Sequence, residues 1–306
     1  MRLEELSRTD LERRLAAGRL FLRTGPFLLA VRSTLPDVAH ALALLYADFP
    51  VETDAPFADF HVNVMPGPGL RRWIKPQATF SVTGYFEHDP FDARLAHAFF
   101  EWGLNACIAR RVHNYLVVHG AVVERRGRAI ALVGRSGAGK STLCAALVLD
   151  GWRLLSDELT LLVPGTTTVM PVARPISLKN QSVDIVRSLD AGARFGPPTV
   201  TLRKGTIRHL RPPADSVHRM GEPAVLERLL FVNFQAGAPV TVAPTSRAEA
   251  FVETARQSMN YGVLGAQGFA HLTHVVESCA CATLTHGGVA DAVRAIAALH
   301  AGPAGS

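Results

Sequence analysis

The stretch that decides the fold is "RAIALVGRSGAGKSTLCAALVLDGWRLLSDE", residues 128–158. Its middle, GRSGAGKS at 134–141, matches the G-x-x-x-x-G-K-[ST] pattern of a phosphate-binding loop. An apolar run, AIALV, precedes the loop, and the helix-compatible run TLCAALVL follows it. We therefore predict a buried strand, a glycine-rich loop and a helix whose N-terminus binds phosphate.

Each residue type in the loop has a physical role in holding phosphate. Glycines permit left-handed backbone and close approach to phosphate oxygens, so that consecutive N–H groups can converge on the anion. Lys140 supplies a mobile positive charge for the terminal phosphates, and the Ser141 hydroxyl is a ligand for Mg²⁺. The residues that we expect to bind the nucleotide are Gly134, Arg135, Ser136, Gly137, Ala138, Gly139, Lys140, Ser141 and Thr142.

An acidic pair, Asp157-Glu158, follows Lys140 by only 17 residues. A helix from Ser141 to about Asp150 rises roughly 15 Å, and the glycine that follows is a natural helix stop. The short strand WRLL then brings the acids back toward the loop. We expect one carboxylate to bind Mg²⁺ and the other to accept a proton from an attacking hydroxyl. In the alternative interpretation, Asp157 caps a turn and Glu158 is a solvated surface charge.

The composition excludes several classes of protein. Hydrophobic residues make up 48% of the 306 and charged residues 19%, which is typical of a folded globular chain. We find no apolar run long enough to span a membrane and no signal-peptide pattern, so we expect a cytoplasmic protein without a membrane partner. A net charge of +6 suits an anionic ligand but is too mild to indicate nucleic acid. The chain also lacks the N-K-x-D motif that reads guanine and the L-S-G-G-Q motif of transporter ATPases, which argues against both of these classes.

The chain changes character near residue 112. We predict an N-terminal α+β module over 1–112 and a nucleotide-binding domain over 113–306, which begins with two buried strands, 115–125 and 128–134, joined by a tight turn. The other predicted strands are 27–33, 59–65, 71–76 and 78–86. The other predicted helices are 1–16, 35–49, 90–113, 244–259 and 288–300.

Three landmarks carry a resemblance to a known family. They are the loop GRSGAGKS, the segment GWRLLSDE with its 17-residue offset, and the segment VVHGAVVE, which places His119 fifteen residues before Gly134. In these the sequence resembles the catalytic domain of bacterial HPr kinase/phosphorylase, and more closely the HPr kinase-related kinase A branch. The resemblance implies an α/β (α+β) fold with the P-loop kinase core shared by HPr kinase and phosphoenolpyruvate carboxykinase.

The resemblance also implies residue roles. Asp157 would be the catalytic base, with Lys140 holding the phosphates, and Glu158 would help to hold the metal, as would Ser141. His119 would tune or orient Asp157, because a charged neighbour lowers a carboxylate's pKa. The alternative for His119 is a satisfied core histidine on a buried strand.

The sequence departs from the family in two places. The acid pair is Asp-Glu rather than Asp-Asp, and the family's RGLG signature is replaced by the segment 173–186. In that segment Lys179 or Asn180 could contact substrate or phosphate. Farther along, four basic residues could stabilise transition-state charge. They are Arg203, Lys204, Arg208 and Arg211.

The sequence thus predicts an ATP- and Mg²⁺-dependent kinase that phosphorylates a hydroxyl, with a serine of a protein or peptide as the expected acceptor. Two alternatives stay open, namely a small-molecule metabolite kinase and a nucleotide-sensing regulatory protein with little turnover. The resemblance further implies a homo-oligomer.

Overall fold

The structure, a computed structural model, describes residues 1–83, 86–202 and 204–301. These residues form two compact units. The first contains 1–112, 173–180 and 193–221, and the second contains 113–172, 181–192 and the residues from 222 onward. The units are therefore discontinuous in sequence, and two segments from the predicted nucleotide-binding domain belong to the first unit. The division into an N-terminal module and a catalytic domain stays a prediction.

The described part of the chain contains both α-helices and β-strands throughout. The α-helices are α1 Arg8–Ala17, α2 Pro36–Leu45, α3 Ala96–Arg111, α4 Lys140–Leu149, α5 Gln181–Leu189, α6 Ala214–His218, α7 Arg247–Gln257, α8 Tyr261–Ser278 and α9 Val289–Ala301. The strands are β1 Leu20–Thr24, β2 Phe27–Ser33, β3 Val51–Glu52, β4 Phe60–Pro66, β5 Gln77–Val82, β6 Phe86–Asp92, β7 Leu116–Arg125, β8 Arg128–Val133, β9 Arg153–Ser156, β10 Leu159–Leu162, β11 Thr168–Met170, β12 Ile176–Lys179, β13 Thr199–Thr201, β14 Gly205–Leu210, β15 Ala224–Phe234, β16 Thr241–Pro244 and β17 Ala280–His286.

The first unit is built on a sheet in the order β3-β1-β2-β4-β5-β6. Most neighbours are antiparallel, but β2 and β4 are parallel because α2 provides the crossover between them. A smaller sheet, β12-β14-β13, belongs to the same unit. Arg174, which lies just before β12, binds α3: its Nη2 donates to the Glu101 carboxylate at 2.5 Å.

The second unit is built on a sheet in the order β11-β10-β7-β8-β15-β17-β16, with β9 also paired to β7. Its centre, β8-β15-β17, is parallel, and β7 joins β8 as an antiparallel hairpin. The two turn residues, Arg126 and Gly127, have φ of 57° and 78°, as a tight hairpin requires. The carboxyl ends of β8, β15 and β17 consequently lie at the same edge of the sheet.

Helices cover both faces of the central strands. Alternate side chains of β7 and β8, such as Val118 and Val133, share a buried cluster with Ala250 of α7 and Leu272 of α8. The intervening side chains are also buried, and α4 packs on β7 and β8 and against α5 and α9. Parallel strands buried on both faces give the continuous apolar runs that mark this part of the sequence.

The observed fold is a mixed α+β fold with several sheets, as the sequence predicted at this coarse level. The β7–β8 hairpin, β2, β4, α2, α7 and α9 confirm the predicted elements within a few residues at each end. Two boundaries are wrong. Ser7 caps α1, so that helix starts at Arg8, and Pro90 lies in β6 rather than at the start of α3. No described helix has the length and apolar character needed to cross a membrane.

The strand predicted at 71–76 is wrong. A 3₁₀ turn at Gly69–Arg72 occupies its start, and Trp73 and Ile74 are exposed. The residues before it contain two prolines and a glycine, which end β4 and leave no ladder for this segment to join. The strand predicted at 78–86 is observed as β5, which ends at Val82. Gly84 and Tyr85 lie outside the described residues, and Phe86, the last residue of the prediction, belongs to β6.

Candidate active site

The loop between β8 and α4 has the backbone that its glycines predict. Gly134 has φ of 152°, and a Cβ there would lie 2.9 Å from the Val232 carbonyl oxygen. Gly139 is the N-cap of α4 with φ of 89°, a left-handed conformation that favours glycine. The loop can therefore lie close to β15 and present the first-turn N–H groups of α4, which have no acceptor within the helix.

Lys140 lies across the loop. Its side chain is only 7% exposed, and its Nζ donates to the carbonyl oxygens of Gly134 at 2.6 Å and Arg135 at 3.0 Å. Its ammonium is thus held inside the curve of the loop. Terminal phosphates that bind there would replace these carbonyl oxygens as its hydrogen-bond acceptors.

The other loop residues are more open. Arg135, Ser136 and Gly137 are exposed, and Ala138 and Ser141 are half-buried. Thr142 is buried and its hydroxyl donates to the Ser182 hydroxyl of α5 at 2.7 Å. That bond fixes the first turn of α4 to the neighbouring helix, whereas the residues before Lys140 stay accessible to a ligand.

The acidic pair lies at an interruption between two short strands. Both β9 and β10 pair with the same edge of β7, at 122–124 and 116–119 respectively. Asp157 and Glu158 fall between them, and the Ser156 hydroxyl accepts from the Leu159 N–H at 3.0 Å across the interruption. The Gly120 N–H donates to the Glu158 carbonyl oxygen at 3.3 Å. Because Gly120 pairs with Val133, the last residue of β8, the acids lie level with the start of the loop, with β7 between them and β8.

Asp157 is 5% exposed and acts on α4 electrostatically. Burial raises the pKa of the Cys144 thiol well above its usual value, and the Asp157 carboxylate adds to that rise. Cys144 lies one helical turn after Lys140, on the same side of α4. Glu158, in contrast, is half-buried. The pair therefore combines one buried and one half-buried acidic residue.

His119 lies on β7 directly opposite Leu159, the residue after the acids. Its side chain is half-buried rather than enclosed in the core. The fold thus brings together, within one unit, the loop, the acid pair and His119.

The downstream basic residues belong to the first unit and have structural partners there. Arg211 donates to Asp48 at 2.7 Å, and Arg208 donates to the Gly196 carbonyl at 3.0 Å. Asn180 has φ of 49° and bonds to the backbone of 204–206 through its side-chain amide. Lys204 lies over the Trp102 ring at 5.2 Å. Arg203 lies outside the described residues.

The donor chemistry fits a magnesium ion. The described residues contain no group of three or more His, Cys, Asp or Glu side chains that could hold a metal by themselves. Mg²⁺ needs no such group, because it is usually bound by one or two side chains together with substrate phosphates and water. Ser141 and Glu158 would be those side chains.

Two residues at this edge of the sheet were missed by the sequence analysis. Phe234 ends β15 and His286 ends β17, and both approach Gly139. A usable signal was present in "LTHGG", residues 284–288, because a histidine followed by two glycines marks a strand end with close backbone approach.

This chain shows limited similarity to known proteins. A family model described as "SynChlorMet cassette protein ScmC" matches residues 102–185, which include the loop and the acid pair but well under half of the chain. No curated protein matches. Among solved structures, the Hpr(Ser) kinase/phosphatase from Coxiella burnetii matches with 10% identity, over 60% of this chain and 97% of that chain. Its TM-score of 0.25 is too low to carry an argument about fold or function.

Proposed function

We propose that this protein is an ATP- and Mg²⁺-dependent kinase that transfers the γ-phosphate to a hydroxyl, with a serine of a protein or peptide as acceptor. One observation carries the proposal. The buried Asp157 lies between β9 and β10, and the next residue, Glu158, accepts from Gly120 of β7, the hairpin partner of the strand that leads into the phosphate loop. A phosphate grip and a carboxylate at this spacing are the two parts that hydroxyl phosphorylation requires.

The proposed transfer needs one proton acceptor. The acceptor oxygen forms a bond to the γ-phosphorus while the bond from that phosphorus to the β–γ bridging oxygen breaks. ADP retains the bonding electrons of the bridge, and the hydroxyl proton passes to the Asp157 carboxylate. Mg²⁺, when bound, offsets the negative charge on the phosphate oxygens.

The remaining residues position the reactants. Lys140 and the first-turn N–H groups of α4 hold the terminal phosphates, and Ser141 and Glu158 hold the metal. His119 orients Asp157 or, when protonated, favours its ionised form. Because Asp157 is buried, bulk water has little access to the proton that it would accept.

The experiment is to incubate the protein with γ-labelled ATP and Mg²⁺ in a lysate of its source organism and to identify the labelled molecule. A labelled serine on a protein or peptide supports the proposal. Label on a metabolite would indicate a small-molecule kinase instead. ATP binding without transfer to any acceptor, water included, would indicate a nucleotide sensor. Lys140→Ala protein is the blank, because label that appears equally with that variant comes from another kinase in the lysate.

A further inference from the structure

The three parallel strands of the second unit end around the phosphate loop. In the register of the sheet, Phe231 lies beside Val133 and Phe234 lies beside His286. Strands β15 and β17 thus continue for three residues past the point where β8 gives way to the loop. Ligands of α/β sheets bind outside the carboxyl ends of such strands.

Phe234 presents a large exposed aromatic surface at the carboxyl end of β15. Its side chain is 45% exposed, although it ends a strand whose middle is buried. A Cβ on Gly139, the N-cap of α4, would lie 3.3 Å from the Phe234 Cβ. The exposed ring is therefore next to the helix N-terminus that binds phosphate.

His286 lies beside the same ring and faces the same glycine. Its ring meets Phe234 edge to face, with centroids 5.5 Å apart. It is only 1% exposed, and its Nε2 lies 3.8 Å from the position of a Cβ on Gly139. Among the described residues, that Nε2 has no hydrogen-bond partner.

The other ring nitrogen decides what Nε2 can do. Nδ1 of His286 lies 3.3 Å from the Gly288 carbonyl oxygen, which can only accept, so Nδ1 carries the hydrogen. Burial lowers the pKa of His286, which keeps the ring neutral at pH 7. Nε2 is then a buried acceptor directed at the loop, and leaving it without a donor is unfavourable.

The two flanks of β8 have different chemistry. The acid pair lies on the β7 side, where Gly120 joins Glu158 to the hairpin. Phe234 and His286 lie on the β15 side. A nucleotide whose terminal phosphate points to Asp157 would direct its nucleoside half away from the β7 side, and the β15 side is the opposite flank of β8.

We propose that the carboxyl ends of β15 and β17 bind the nucleoside half of the nucleotide, with the base stacked on Phe234 and a sugar hydroxyl, through an ordered water, donating to His286 Nε2. This inference rests on the proposed function, because it takes the direction of the phosphates from Asp157. Stacking on a phenylalanine accepts any base, so the structure assigns little base selectivity to this surface.

The test compares ATP with inorganic tripolyphosphate, which has the phosphates but no nucleoside. Binding of each, with Mg²⁺, is measured by calorimetry for the wild-type protein and for Phe234→Ala, Phe234→Trp and Phe57→Ala. Phe57 is an exposed phenylalanine outside the second unit and serves as the matched control. We expect Phe234→Ala to weaken ATP binding by at least about fivefold and to leave tripolyphosphate binding unchanged. Phe234→Trp should retain ATP binding, with fluorescence quenched by ATP and not by tripolyphosphate.

Two further variants separate the nitrogens of His286. Asparagine can replace the Nδ1 donor but not the Nε2 acceptor, so His286→Asn should weaken binding of ATP and not of tripolyphosphate. Glutamine can place an acceptor where Nε2 lies, so His286→Gln should weaken ATP binding less than His286→Asn does. Equal losses for both ligands, or an unchanged ATP affinity in Phe234→Ala, would overturn the nucleoside site and leave the kinase proposal standing. A wild-type protein that binds neither ligand would contradict both proposals.

Discussion

The N–H of Gly120 donates to the carbonyl oxygen of Glu158 at 3.3 Å, and this bond joins the acid pair to the hairpin that leads into the phosphate loop. Gly120 is confined from the other side as well, because a Cβ there would lie 2.9 Å from the Leu132 carbonyl oxygen. The position of the acids thus depends on a close approach between two strands that only glycine permits.

Gly120→Ala should therefore reduce both stability and phosphate transfer. The added methyl group meets backbone rather than a movable side chain, which costs about 1–3 kcal/mol of unfolding free energy. Urea unfolding and transfer to the labelled acceptor measure the two effects. Gly221→Ala is the control, since a Cβ there meets nothing within 4 Å. A Gly120→Ala protein as stable as this control would show that the strands can separate without cost.

Arg174 should be among the most important residues for the stability of the first unit. Its guanidinium is buried and donates to Glu101 and to Asn105, both at 2.5 Å, while Tyr46 donates to the other Glu101 oxygen at 2.7 Å. Arg174→Ala leaves the Glu101 carboxylate buried without its cation, at a cost of about 3–5 kcal/mol. Chemical unfolding measures the change.

The matched control for Arg174 is Arg219→Ala, which removes an exposed ion pair with Asp215 and should cost less than about 1 kcal/mol. A double variant, Arg174→Met with Glu101→Leu, should recover much of the lost stability because it removes both buried charges. Similar losses from Arg174→Ala and Arg219→Ala would refute the role of the buried pair.

His97 should make stability depend on pH. Burial, and secondarily the nearby His209, lowers the pKa of His97 from 6.5 to about 4. Below pH 6.5 the unfolded chain binds a proton that the folded chain does not, so stability falls as pH falls from 6.5 toward 4. The loss between pH 7 and pH 5 is about 2 kcal/mol.

Unfolding free energies at pH 7 and pH 5 measure this effect. His97→Gln should flatten the dependence, and His40→Gln, at an exposed histidine of α2, should leave it as in the wild-type protein. An unchanged slope in His97→Gln would assign the pH dependence to another group.

Lys140→Ala should strongly reduce transfer and weaken triphosphate binding. The change deletes the cation that is held inside the loop by Gly134 and Arg135. Loss of one such preorganised group lowers turnover by about 10²–10³-fold. Transfer assays and calorimetry with ATP measure both effects, and Lys75→Ala, at an exposed lysine of the first unit, is the control. Normal triphosphate affinity in Lys140→Ala would remove this lysine from the phosphate site.

Local patterns explain the parts of the fold that the sequence predicts. The β7–β8 hairpin follows from two apolar runs around Arg126-Gly127, and α7 follows from a capping box between Ser246 and Glu249. Strand β15 was missed because its sequence, AVLERLLFVNF, fits a helix as well as a strand. Its parallel pairing with β8 joins residues nearly a hundred positions apart, which no local period records.

The same distinction applies to the candidate site. The loop glycines, Lys140 and the acid pair lie within one strand–helix–strand segment, so their proximity could be inferred from spacing. Phe234 and His286 reach Gly139 only through the register of the parallel sheet. The burial of Asp157 beside Cys144 likewise depends on how β9 and β10 share the edge of β7.

The most direct test of the proposed kinase is the rate of phosphate transfer by Asp157→Asn. Asparagine keeps the shape of the side chain and cannot accept the proton, so transfer should fall by about 10²–10⁴-fold while ATP affinity stays near that of the wild-type protein. Asp150→Asn, at an exposed aspartate before β9, should transfer normally. Near-normal transfer by Asp157→Asn would contradict the assignment of Asp157 as the base.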